Sequence, residues 1–151
     1  MTQGRLRSLL TLIIWGAVAV GFGYAVFSSG GPGAIASDRG RRILAVAFLA
    51  FGFLSQPAML YVTRIRPGAR HVLSDERDER LGHRSTIIGF SVVVLYVYLA
   101  CLGLWEHYHE PGLVPAGWLW LLAYSTVILT FVAPSIAFLV QDVGKLGHAE
   151  G

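Results

Sequence analysis

The sequence predicts an all-α membrane protein: a single four-helix transmembrane bundle over residues 1–151, with both termini cytoplasmic. Three observations carry this. Apolar runs occupy 6–27, 43–62, 85–104 and 118–140, and no charge interrupts any of them beyond the first turn. Helical residues rise 1.5 Å each, so about 20 of them match the roughly 30 Å hydrocarbon layer. Charged residues make up 14% of the chain and cluster between the runs, against about 25% for a typical soluble domain. Finally, 54% of residues are hydrophobic and the mean hydropathy is +0.59. This balance excludes a soluble globular enzyme, a disordered chain and a basic-faced nucleic-acid-binding domain. The single cysteine, Cys101, leaves no intrachain disulfide, CxxC pair or thiolate metal cluster.

Run 6–27 follows Arg5 and includes Arg7 in its first turn. With Ala34-Ile35-Ala36 downstream it also has the outline of a secretory signal and cleavage site. Its apolar core exceeds the usual length of about 7–15 residues, which favours a retained helix. Run 43–62 contains Pro57, and run 118–140 contains Pro134. Each proline removes a backbone donor and should kink its helix. Run 85–104 has no proline upstream as far as Asp75, so its helix is expected over 75–104, extended into the cytoplasm. Bare peptide groups have no water partner in hydrocarbon, and four short strands cannot close a barrel, so all four runs should be helical. Trp15 falls mid-run and is expected to pack against a neighbouring helix.

Charge placement sets the topology. Arg5, Arg7, Arg64, Arg66, Arg70, Arg77, Arg80, Arg84 and Lys145 fall on one side, and only Arg39, Arg41 and Arg42 on the other. The positive-inside rule therefore places the termini and loop 63–84 in the cytoplasm, and loops 28–42 and 105–117 outside. Tyr24, Phe27, Trp105, Tyr108, Trp118 and Trp120 then mark the outer headgroup level, and Tyr61 the inner one.

A shift of 77 residues superimposes the first pair of runs on the second and brings Pro57 onto Pro134. A parallel two-plus-two duplication and four unrelated helices of standard length both fit. The small pairs Ala17/Gly21, Ala19/Gly23 and Ser85/Gly89 allow close helix approach, within the bundle or between copies in a homo-oligomer.

The loop between the second and third runs is the most distinctive segment. Pro67-Gly68 marks a turn, and Ser74 or Asp75 can cap the helix that follows. Asp75, Glu76, Asp78 and Glu79 precede Arg80 and Arg84, the order that suits a helix dipole. Glu76 and Arg80 form an i,i+4 pair in the better orientation. Arg64, Arg66, Arg70, Arg77, Arg80 and Arg84, with the four acids, make this loop the expected docking surface for a protein partner or anionic lipid. The run Asp75-Glu76-Arg77-Asp78-Glu79-Arg80-Leu81, followed by a membrane helix, resembles the D-E-R-x-E-x-I/L signature of small uncharacterised prokaryotic integral membrane proteins, over about residues 74–104. The resemblance implies a multi-pass protein of a bacterial or archaeal cytoplasmic membrane and brings no activity with it.

Glu106, His107, His109 and Glu110 put four candidate metal ligands into five residues of the second outer loop. In an extended chain His107 and His109 share a face and can chelate zinc or copper; in a helix Glu106, His109 and Glu110 share one. No Asp, Glu, Lys, Arg or His lies well inside a run, whereas ion-coupled transport and proton relay use such groups. Gln56, beside Pro57, can bond the carbonyl that a kink frees, or reach across helices.

The expectation is thus a small non-catalytic accessory or interaction protein without a cofactor. The alternatives are a small-solute channel or transporter hinged at Pro57 and Pro134, with Gln56 in its polar core, and a metal- or heme-linked redox protein using the outer loop.

Overall fold

A computed structural model describes residues 3–28, 30–35, 37–64, 76–110 and 112–146. Its elements are α1 (Gln3–Phe27), α2 (Pro32–Ile35), α3 (Arg39–Arg64), α4 (Glu76–Tyr108) and α5 (Ala116–Leu146), and no strand occurs among the described residues. Four of the helices are long and apolar enough to cross a membrane. They alternate in direction, so α1 begins and α5 finishes at one end of the molecule. We call this the near end, and the end where α1 finishes the far end.

The long helices form a row in the order α3–α1–α5–α4, with extensive packing confined to successive neighbours. Helices α1 and α5 are therefore central, and α4 is held along its length by α5 alone. Facing residues march in antiparallel register along the central pair: Arg5 beside Asp142, Trp15 on Phe131, and Phe22 on Tyr124.

Trp15 organises the centre. Its indole is fully buried and stacks on Phe131 of α5, with centroids 4.2 Å apart and planes within 5°. Phe53 of α3 meets the same ring edge-on at 5.5 Å. Gly52 makes room for it, because a Cβ there would lie 3.1–3.2 Å from three indole carbons. The mid-run tryptophan thus packs between helices as the sequence predicts. Val18, Phe22, Ala25 and Val26 carry the same face of α1 toward the far end, spaced so that they share one helical stripe. Among the described residues, α1 supplies five of the eleven buried apolar side chains, so the core depends on this helix being retained.

Small residues set the other close approaches. Gly21 admits the ring of Phe48 from α3, and Gly89 of α4 lies directly against the ring of Pro134 in α5. The pairs Ala17/Gly21 and Ser85/Gly89 are thereby used within the chain, whereas a Cβ on Gly23 would meet nothing within 4 Å. Pro57, the counterpart of Pro134 under the 77-residue shift, is exposed instead.

The far end is closed by a turn and a short helix within 28–42, where the sequence predicts a loop. Gly30 and Gly31 adopt positive φ, 94° and 105°, conformations open to glycine at little cost, and the Gly31 amide returns to the Val26 carbonyl at 3.3 Å. The short α2 follows and buries Ile35 among α1, α3 and α5. Asp38 then caps α3: its Oδ1 accepts from the Arg41 amide at 3.1 Å. Arg41 returns its guanidinium to Asp38 at 3.0 Å and donates to Ser28 Oγ at 3.0 Å.

The contact between Gly89 and Pro134 is rigid, while Gly23 faces open space. Gly89→Leu should destabilise the folded protein by about 1–3 kcal/mol, as overpacking does. Gly23→Leu should leave it within about 0.5 kcal/mol, as an unconstrained substitution does. Unfolding followed by circular dichroism in a mild detergent compares the two.

Candidate functional site

The charged segment preceding the third membrane run is built onto α4. With 33 residues, α4 is about 50 Å long at 1.5 Å per residue, well beyond a hydrocarbon layer of about 30 Å. Its near-end turns have two faces. Leu81, Ser85 and Gly89, four residues apart, are buried toward α5, while Glu79, Arg80, His83 and Arg84 are exposed. The Ser85 and Thr86 hydroxyls both donate to the Gly82 carbonyl, at 2.8 and 2.9 Å, and so make no demand on a neighbour. Arg64 closes α3, and Glu76, Arg77 and Asp78 open α4. Arg66, Arg70 and Asp75 lie outside the described residues.

An ion pair that the sequence did not single out lies at the same end. Arg5 Nε of α1 is 3.9 Å from Asp142 Oδ2 of α5, and Asp142 is only 6% exposed. This carboxylate sits past the last apolar run. Its one advance signal is that Arg5 and Asp142 flank the two runs that prove to be central.

At the far end the helix continues where a loop was expected, through Trp105 to Tyr108. Helical geometry turns His107 and His109 about 200° apart, so the shared face of an extended strand is lost. His107 stands edge-on to Tyr108 with ring centres 4.6 Å apart. His109 donates Nδ1–H to the Glu106 carbonyl at 2.8 Å, capping one of the last carbonyls of α4. Glu106 and Glu110 are exposed. Asp38, the nearest additional ligand in sequence terms, is held by Arg41. Among the described residues no three His, Cys, Asp or Glu side chains are grouped to hold a metal ion. Continued helix separates His107 from His109, and α4 ends at Tyr108, before His109 and Glu110 of the helical face that Glu106 would share with them.

The interior is quiet chemically. Thr126 and Thr130 donate to carbonyls four residues back on their own helix, at 2.7 and 2.9 Å, as does Ser135 at 2.8 Å. Ser125 donates to the Leu121 carbonyl at 2.6 Å and shares a 2.5 Å hydrogen bond with Tyr96 of α4. With the serine proton committed to the carbonyl, Tyr96 is the donor to Ser125 Oγ. The expected partner for Gln56 is not found: its buried Nε2 has no acceptor among the described residues, and the same holds for Trp15 Nε1 and Gln141 Nε2. Where α1, α3 and α5 meet, Trp15, Phe53 and Phe131 fill the space.

Between the far-end halves of α4 and α5 lies a cleft of about 410 Å³, lined by aromatic and aliphatic side chains from both helices. A second groove, between α1 and α3, is lined by Ala17, Val18, Leu44, Ala47, Phe48 and Phe51 and carries no polar side chain. Comparison with family models, curated proteins and solved structures returns no match.

Two outcomes follow from this geometry. Asp142→Lys should lower stability by about 1–3 kcal/mol, the scale of a charge left unmatched opposite a partly exposed Arg5, and adding Arg5→Glu should restore part of it in thermal unfolding. Purified protein exposed to zinc or copper and then desalted should retain far less than one equivalent by elemental analysis, with or without His107→Ala/His109→Ala.

Proposed function

We propose that this chain is a small non-catalytic accessory or interaction protein of a bacterial or archaeal cytoplasmic membrane. Its near end faces the cytoplasm and docks an anionic lipid surface or a partner protein that presents acidic groups. The carrying observation is the build of α4: its first turns bury Leu81 and Ser85 against α5 while exposing Glu79, Arg80, His83 and Arg84. A charged helical surface is thereby fixed in orientation at the mouth of a membrane bundle.

The basic excess supports the same side. Eight arginines (5, 7, 64, 66, 70, 77, 80 and 84) and Lys145 belong to the near-end segments, against three arginines in the far-end segments. That asymmetry is the one that retains loops in the cytoplasm, where each basic residue near an anionic leaflet contributes about 1 kcal/mol of attraction. The quiet interior favours a role carried by the ends of the molecule over one that moves charge through it. The resemblance of residues 75–81 to the D-E-R-x-E-x-I/L signature agrees with a multi-pass prokaryotic membrane protein.

Two measurements test this. In a Cys101→Ala background, an impermeant maleimide applied to intact cells should label Leu113→Cys and leave Ser74→Cys unlabelled; the reverse pattern overturns the orientation. The triple reversal Arg64→Glu, Arg66→Glu and Arg70→Glu should cut co-purifying anionic phospholipid, read by mass spectrometry, by more than about tenfold on the scale of 1 kcal/mol per charge. Unchanged lipid together with an unchanged set of co-purifying proteins would remove the docking role.

A further inference from the structure

The cleft between α4 and α5 has a shape, a lining and a charge that select one class of ligand. The two helices are tightest at Gly89 and Pro134, remain joined at Tyr96 and Ser125, and then part toward the far end. Tyr96, Ala100, Gly103 and His107 lie on one stripe of α4, because offsets of four, seven and eleven residues return to the same face. The stripe is about 16 Å long at 1.5 Å per residue. Gly103 hollows its middle, since a Cβ there would meet nothing within 4 Å. The volume of about 410 Å³ falls in the range of about 300–1,000 Å³ that small-molecule sites occupy.

The mouth is aromatic, and the end of α4 beside it carries two exposed carboxylates outside the lining itself. Tyr108 and Trp118 stand at the rim beside His107, and Glu106 and Glu110 flank that histidine in sequence at the exposed end of α4. The C-terminal end of a helix adds partial negative charge through its aligned peptide dipoles, while His109 Nδ1–H and the Gly112 amide donate to the Glu106 and Tyr108 carbonyls. No Lys or Arg occurs between Arg84 and Lys145, so neither helix offers a cation to this region for a phosphate or carboxylate. Aromatic faces attract organic cations, most strongly when water is excluded. Along the interior of the cleft the lining is Ala100, Gly103, Leu121 and Leu122, with the Tyr96–Ser125 pair at the inner limit. Among the described residues α4 packs extensively against α5 and no other helix, so the cleft opens sideways, where a membrane-dissolved chain can enter.

We propose that this cleft binds an amphiphilic organic cation. The ammonium head sits among Tyr108, Trp118 and the flanking carboxylates, and the apolar chain runs along Gly103 toward Tyr96. A head bearing phosphate is disfavoured by the same charges that attract the ammonium.

The test uses the full chain in nanodiscs of an uncharged galactolipid, titrated calorimetrically with dodecyltrimethylammonium and, separately, with dodecanoate; empty nanodiscs supply the blank. The cation should bind saturably at about one site, and the anion of equal chain length should not. Trp118→Ala and Gly103→Leu should each weaken the cation about tenfold or more, one by removing an aromatic face and the other by filling the cleft. Glu106→Gln with Glu110→Gln should weaken it about threefold to tenfold, as expected of exposed charges. Gly103→Leu enters open space, so it keeps the test valid should Trp118→Ala fail to fold, and Gly23→Leu on α1 serves as a control with unchanged affinity. Saturable binding of dodecanoate at equal strength, an unaltered affinity in Gly103→Leu, or displacement of the probe by phosphatidylethanolamine at equal affinity would each overturn the assignment, the last in favour of a structural lipid.

Discussion

The arrangement of this protein depends on how one tryptophan is packed. Between membrane helices the hydrophobic effect gives little attraction, because lipid tails are as apolar as side chains; association rests on close packing and on the few polar contacts that cross. Trp15 meets that requirement from three directions, with Phe131 stacked on its face, Phe53 against its edge and the bare backbone of Gly52 alongside. Aromatic pairs in these geometries add about 0.5–1.5 kcal/mol each beyond the area they bury. The opposing term is the indole N–H, buried without an acceptor among the described residues, at a cost of about 1–3 kcal/mol. The packing outweighs it because one ring ties α1 to both α3 and α5. The row α3–α1–α5 follows directly, and α4 is left to find its only long seam on the outer side of α5.

Polar groups within the bundle are handled locally. Hydroxyls on α3, α4 and α5 turn back to their own helical carbonyls, which lets serine and threonine sit at membrane depth without a partner helix. The charges that do pair are at the two ends. Arg5 and Asp142 join α1 to α5 at the near end, and Asp38, Arg41 and Ser28 pin the turn into α3 at the far end. The Asp38–Arg41 pair is partly exposed, and buried Asp142 meets a partly exposed Arg5, so the two clusters fix the helix ends while Trp15 fixes the middle.

The number and approximate extent of the four long apolar helices were legible because charge is costly in hydrocarbon, so its spacing marks out segments long enough to cross a membrane. The helical start before Ser85 was legible for a local reason as well: acids early, bases late and no proline. What residue order does not carry is the choice of neighbours. Gly21, Gly23, Gly89 and Gly103 look alike in an apolar run, yet Gly21 receives Phe48, Gly89 receives Pro134, and the other two face open space. The distinction exists only once the row has formed. For the same reason the match of Pro57 to Pro134 meant little by itself, since one is exposed and the other seats a helix. The far-end histidines depend on local geometry instead. Two histidines spaced by one residue coincide in a strand and diverge in a helix, and the helix runs on to Tyr108. Tyr96 gave no early signal, because its meaning lies in Ser125, 29 residues away.

One-sided packing of α4 connects the two regions to which function is assigned. A helix gripped on both flanks would have its near-end charges partly covered and its far-end half closed against a second neighbour. Here α5 alone holds it, tightly at Gly89 and Pro134 and more loosely beyond Tyr96. The near-end turns therefore keep an exposed polar face, and the far-end turns diverge enough to leave a cleft. Both depend on the tight seat between them, because an α4 that moved away from Pro134 would lose the burial of Leu81 and Ser85 and the wall that Tyr96 completes. A change at Gly89 should accordingly be felt at both ends of α4, although neither end touches it.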